Sequence, residues 1–274
     1  MSPRPSLQYI KQQFYCVAVQ RPELTLEKII QFIPQRQKEN QHTNTTMRLY
    51  KRYFLKACIV LRQIAKAIHH LHLIGIVHGD IRTQTCGKFG PYWKIMNILG
   101  SKVIGDSFTQ SRMSSASPPE SVDFDSKSLS SDVGCFKRYL QANVSIDVWS
   151  FGKLMYEVIV GEPLIPFSNN TKIKPRNDHH AISILGTWDD DSLHFVQSQL
   201  CKCFESNSGQ DDVNDDDILL ISKSCVDLIC NCLRSNPLQR IKSMDEVLQH
   251  TFWKEVSKKV MVFKKKKSVR RVEI

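Results

Sequence analysis

The chain has 274 residues, 41% hydrophobic and 24% charged, which supplies a packed core and excludes wholesale disorder. Its formal net charge is +11, and no apolar run reaches the length of a membrane-spanning helix. The opening MSPRPSLQYIKQQFY has no basic-then-apolar leader pattern, so the expected compartment is the cytoplasm, with the nucleus as the alternative.

FYCVAVQ (14–20) is a short apolar run rich in β-formers and predicts a buried strand, broken by Pro22. LTLEKIIQFI has helical spacing, with Thr25 as a candidate N-cap and Glu27 in the first turn. Lys28 stands where a capping box needs Glu or Gln. RQKENQHTNTT (36–46) is polar and predicts a loop. Residues 47–73 predict a long helix with a stripe of Leu55, Ile59, Leu61, Ile64, Ala65, Ile68 and Leu71. His69, His70 and His72 near its end read as packing groups and as favourable charge at a helix C-terminus.

GIVHGDI is strand-like and runs into a loop, and YWKIMNIL (92–99) predicts a second strand. Pairing of the two as a ribbon brings Asp80 near Asn97. Residues 105–135 are Ser-rich, hold Pro118 and Pro119, and predict a long loop. SIDVWSFGKLMYEVIVG (145–161) predicts an apolar helix closed by Gly161. SNNTKIKPRNDHH predicts a loop, and GQDDVNDDD (209–217) an acidic surface insert. SCVDLICNCLRSNPLQR and MDEVLQHTFW predict two helices with a turn between them.

The tail KKVMVFKKKKSVRRVEI sets Lys258, Lys259, Lys264, Lys265, Lys266, Lys267, Arg270 and Arg271 against Glu273. Such a cluster suits an anionic lipid surface or import machinery, and its bland reading is a solvated terminus. Neither an aromatic-interleaved basic groove nor zinc-finger spacing is present, so sequence-specific nucleic-acid binding is not expected. The nine cysteines, an odd number, read as reduced packing thiols. Cys201 and Cys203, like Cys230 and Cys232, are two apart, which on a helix turns them roughly 200° away from each other. Zinc pairs leave wider spacing, so no metal site is expected there.

From about Phe14 to Trp253 the order of motifs resembles the C-terminal lobe of the eukaryotic protein kinase family. FYCVAVQRPELTLEKII is similar to the last N-lobe strand, the hinge and the helix after it. IAKAIHHLHLIGIVHGDIR is similar to the long helix leading into the catalytic loop. SPPE (117–120) resembles the Ala-Pro-Glu motif that ends the activation segment, and SIDVWSFG the Asp-x-Trp-Ser-x-Gly helix start. LRSNPLQRIKSMDEVLQHTFW resembles the final subdomain, with its Arg at 240. One such motif is weak; together, in this order, they are specific. Within the family, YWKIMNILGSKVIGD and SSASPPE look closest to kinases described in oomycetes and related protists.

The resemblance implies an α+β fold, mostly α, of protein-kinase C-lobe type with a hinge strand. Its domain spans 14–253, a remnant over 1–13 stands in place of most of the N-lobe, and a basic tail fills 254–274. It implies that Glu120 pairs with Arg240 and that Asp147 hydrogen-bonds the catalytic-loop backbone. Asp80 takes the catalytic-base position, and Arg82 stands where the family has a phosphate-binding Lys, keeping the charge with a different geometry. ATP would lie under the hinge near Val19 and Gln20.

Three further positions depart from the pattern. Thr85 replaces the metal-binding Asn, and its hydroxyl is shorter than an amide. Asn97, aligned on WKIM, replaces the Asp of Asp-Phe-Gly and brings no charge to Mg²⁺, a hard cation that favours carboxylates. Gly79 replaces the Arg of His-Arg-Asp, the partner of a phosphorylated activation loop. The Gly-rich loop and strand Lys have no counterpart before the hinge. Phosphoryl transfer depends on positioning and on charge neutralisation. The expected function is therefore a pseudokinase acting by protein contacts in signalling, without a cofactor, with a protein partner covering the exposed cleft face. The alternative is an active Ser/Thr kinase using ATP and Mg, seen here as a truncated chain; a decayed product is the third reading.

Overall fold

A computed structural model describes residues 19–31, 44–109, 116–123, 135–136, 139–165, 179–205 and 216–272. Strand β1 (Leu24–Thr25) leads directly into α1 (Leu26–Gln31), whose Leu26 is buried. The long helix α2 covers Asn44–Leu73, so 44–46 of the expected loop are helical. Its buried residues are Phe54, Ala57, Cys58, Leu61, Ile64, Ala65 and Ile68, an unbroken i, i+3, i+4 series. Leu55 and Leu71 are half-buried and Ile59 is exposed, which corrects the expected stripe. The face in contact with the core is turned by one position toward Phe54, whose ring meets Phe204 edge-on at 5.4 Å.

After α2 the chain forms β2 (Ile76–Val77), a hairpin of β3 (Cys86–Phe89) and β4 (Tyr92–Ile95), and β5 (Lys102–Val103). The expected ribbon between GIVHGDI and YWKIMNIL does not form. β2 pairs with β5 and β4 pairs with β3, both antiparallel. The reason is local: Gly90, at φ 58, and Pro91 make a tight turn that folds β4 back on the strand just before it. β1 adds to the other edge of β3. Residues of the expected loop 105–135 contribute β6 (Ser107–Thr109), β7 (Val122–Asp123) and β8 (Cys135–Phe136). β6 pairs with β9 (Tyr139–Gln141), and β7 with β8.

Helix α3 (Val144–Val160) is the axis of the molecule. Asn143 caps its start by accepting from Ser145 N, and Gly161, left-handed at φ 84, ends it. Every residue from Ser145 to Ile159 is buried, as befits a helix apolar nearly all round. Asp147, Lys153 and Glu157 are the charged exceptions, and the last two neutralise each other one turn apart inside the core. Helix α4 (His179–Gly186) packs against β7, α5 (Asp190–Glu205) and α6 (Asp216–Cys232) against α3, and α7 (Met244–Gln249) against α2. Helix α8 (Thr251–Val272) buries Phe252, Trp253 and Val256 at its start and carries the backbone of the basic run as continuous helix. Among the described residues, no helix is long and apolar enough to cross a membrane.

Residues 1–18, with most of the expected hinge strand, lie outside the described residues, as do 36–43, 168–178, 209–215 and 273–274 of the segments read above. Val19 and Gln20 are exposed and belong to no strand.

Gly152, in the middle of α3, allows α6 to approach. A Cβ there would sit 2.5 Å from Cys232 Cβ. Gly152→Ala should therefore destabilise the fold by about 1–3 kcal/mol despite the better helix propensity of alanine. Urea denaturation checks this; a stabilised variant would contradict so close a helix contact.

Candidate active site

The loop between β2 and β3 is held from below by one carboxylate. Asp147, in the first turn of α3, is fully buried. Its Oδ2 accepts from His78 N at 2.8 Å and its Oδ1 from Gly79 N at 2.8 Å. His72 Nε2, at the end of α2, donates to Oδ2 at 3.0 Å. His72 thus serves the loop, a role its neighbours His69 and His70 concealed in the sequence. His78 is also buried and bridges two segments. Its Nδ1 accepts from Asp80 N at 3.2 Å, which leaves Nε2 to donate to Met96 O at 3.0 Å. Met96 N donates to Thr85 O at 2.8 Å. The Asp80 loop and the end of β4 therefore meet, but through a histidine ring and one backbone bond rather than a strand ladder.

Asp80 and Arg82 come together: Arg82 Nε donates to Asp80 Oδ2 at 3.1 Å. Asp80 Oδ1 is buried and lies 3.1 Å from Arg82 Nε as an ion pair, without the geometry of a hydrogen bond. Thr85 is buried, and its hydroxyl accepts from Arg82 N at 3.0 Å and donates toward Asp80 O at 2.9 Å and Arg82 O at 3.0 Å. It closes the loop on itself. Asn97 is exposed and is the one non-glycine residue with positive φ among the described residues, at φ 64 and ψ 45. Asparagine tolerates that left-handed conformation better than most residues. No hydrogen bond or ion pair links Val19 or Gln20 to this loop.

Mg²⁺ asks for carboxylate and other oxygen ligands free to reach it. This site offers one carboxylate, already paired with Arg82, a hydroxyl engaged by backbone, and a neutral amide. The donor set does not fit a magnesium site. Among the described residues there is no group of three His, Cys, Asp or Glu able to hold a metal. Burial also keeps thiols protonated, pushing Cys86 up to about 12 and Cys230 to about 11.

Gly79 has φ 74, and a Cβ on it would lie 2.6 Å from the Phe108 ring of β6. The ring fills the space beside the loop where a side chain at 79 would start, together with Val77, Ala142 and Ile146.

Below the loop, Arg240 makes a fork with Glu120. Nη1 donates to Oε1 at 2.7 Å and Nη2 to Oε2 at 2.6 Å. Arg240 also donates to Arg234 O, Ser235 O and Ser145 O, and its guanidinium lies 5.0 Å from the centre of the Trp149 ring. Ser150 donates to Ala116 O at 2.9 Å, which ties the SPPE segment to α3.

A family model described as the protein kinase domain matches residues 133–253. A probable serine/threonine-protein kinase, glkA, of Dictyostelium discoideum is 27% identical over 219 residues, 73% of this chain and 39% of the relative. An Aurora kinase of Candida glabrata is 30% identical over 120 residues, 40% of this chain and 27% of the relative. The chain is similar, at modest identity, to members of the eukaryotic protein kinase family. It spans about two-fifths of the first relative's length and about a quarter of the second's. The family model's match includes Asp147 and Arg240, whereas Asp80, Thr85 and Asn97 precede it.

Arg240 has no side-chain exposure, so removing its partner leaves a guanidinium charge in the protein interior. Glu120→Ala should cost about 3–5 kcal/mol, read from the denaturant midpoint. A loss below about 1 kcal/mol would place the pair among ordinary surface bridges.

Proposed function

We propose that this protein kinase-like chain is a pseudokinase that acts through protein contacts. The observation that carries this reading is Thr85. At the position of the metal-binding residue, its hydroxyl is buried and held by the backbone of its own loop. Asn97 adds a neutral amide where the family pattern has a carboxylate, and Asp80 is paired with Arg82. On this reading no cofactor is required, and signalling depends on the shape of the loop and the surfaces around it.

The test is transfer of labelled γ-phosphate from Mg-ATP by the full chain and by Asp80→Asn. The expected result is the same background incorporation from both, into the chain itself and into a generic Ser/Thr substrate. Incorporation above background that Asp80→Asn abolishes would overturn the reading in favour of an active Ser/Thr kinase using ATP and Mg. That alternative draws support from Asp80, which remains in place and one-quarter exposed.

A protein partner is favoured by the apolar side chains beside the loop. Ile98 is 57% and Leu99 81% exposed, directly after Asn97. The basic run on α8 suits anionic lipid or import machinery, in the cytoplasm or nucleus. Replacing Ile98 and Leu99 together by Glu should leave stability within about 0.5 kcal/mol, because both side chains face water. The same change should reduce self-association in light scattering. Unchanged scattering from a sticky wild-type chain would remove this face from consideration.

A further inference from the structure

Away from the loop, between α2 and the first half of α8, lies a cavity of about 300 Å³. Its apolar wall includes Cys58, Ile59, Val256, Val260 and Met261. Cys58 and Val256 are buried at the floor, whereas Ile59 and Met261 stand exposed at the mouth. Arg62 and Lys66 form a cationic edge beside Ser257. Arg62 Nη1 donates to Ser257 Oγ at 2.7 Å, and Ser257 Oγ donates in turn to Trp253 O at 2.6 Å. Arg62 Nε is buried and donates to nothing. Among the described residues neither Arg62 nor Lys66 has a carboxylate partner.

This combination is chemically specific. A guanidinium stays charged at any pH a protein meets. A planar carboxylate matches the fork of Arg better than any neutral group does. Apart from Ser257 and Gln63 the remaining wall is hydrocarbon and sulfur, which favours an apolar body. About 300 Å³ is at the small end of ligand pockets, large enough for a short chain or a single ring.

We propose that this cavity binds a small monocarboxylate with an apolar body. Its carboxylate meets Arg62 and Lys66, and its hydrocarbon lies against Ile59, Val256 and Met261. A dianionic phosphate is the poorer occupant, since the lining offers two cations on one edge and little other polarity. The neighbouring Gln63 gives the site a route to the rest of the fold. Its Oε1 accepts from Trp93 N at 2.8 Å, in β4, whose last residue Ile95 precedes Met96.

The full chain is titrated calorimetrically with sodium octanoate, with octanol and octylamine as controls. Octanoate is expected to bind one saturable site, octanol about tenfold more weakly, and octylamine not at all. Arg62→Met, which keeps the apolar stem, should bring octanoate down to the octanol level. Lys66→Met, at an exposed position where folding is not at stake, should weaken octanoate about threefold and leave octanol unchanged. The proposal fails if octanoate gives no saturable heat up to roughly 10 mM. It fails equally if octanol binds as well as octanoate, or if neither substitution moves the octanoate affinity.

Discussion

A carboxylate with no access to water must find donors for both oxygens, because an unpaired buried charge is among the most costly groups a fold can contain. Asp147 finds three, two of them backbone N–H groups of consecutive residues, His78 and Gly79. Since Asp147 belongs to the first turn of the most buried helix, the loop above it takes its position from the core rather than from its own sequence. The rest follows outward. His78, anchored by its backbone, turns its ring to Asp80 N and Met96 O. Thr85 then draws Asp80 and Arg82 into one closed turn. None of these contacts uses a side chain at 79, a metal or a nucleotide. The shape of the loop therefore rests on Asp147, His78 and Thr85.

The Arg240–Glu120 fork does for the lower half what Asp147 does for the upper. Arg240 gathers the SPPE segment, the start of α3 and the turn after α6 at one buried guanidinium, with Trp149 covering its face. Trp149 packs edge-on against Trp188 at 5.1 Å, and Trp188 donates to Leu233 O. Both anchors bind α3, so the integrity of that helix and the shape of the loop are one property. The scaffold and the chemistry are carried by different atoms, and they are open to change independently.

How much of this was legible in the sequence depends on what each contact requires. The contacts of Asp147, Glu120 and Arg240 were readable because the motifs that hold them resemble those of the protein kinase family, whose pattern implies both. Helix α3 was readable from its continuous apolar character and Gly161. The pairing of β4 was not, because a strand's partner depends on the turn geometry at Gly90 and Pro91 as well as on its own composition. Nor was the facing of α2: with apolar residues at Leu55 and Ile59 as well as Phe54 and Cys58, periodicity allows two adjacent stripes, and tertiary contact selects one. His72 and the closed hydroxyl of Thr85 depend on distances across the fold that residue spacing does not carry.

The contact between Gly79 and Phe108 sets an order on change. With the ring in place, any side chain at 79 meets it within 2.6 Å on a backbone already left-handed. An arginine at 79 is therefore admissible only after position 108 has become small and the loop has relaxed to negative φ. A smaller residue at 108 without that arginine leaves a gap beside Val77 and Ile146. Each single step away from the present pair is unfavourable, so the two positions behave as one two-site character. A change to an arginine-bearing loop meets a barrier that neither substitution lowers alone.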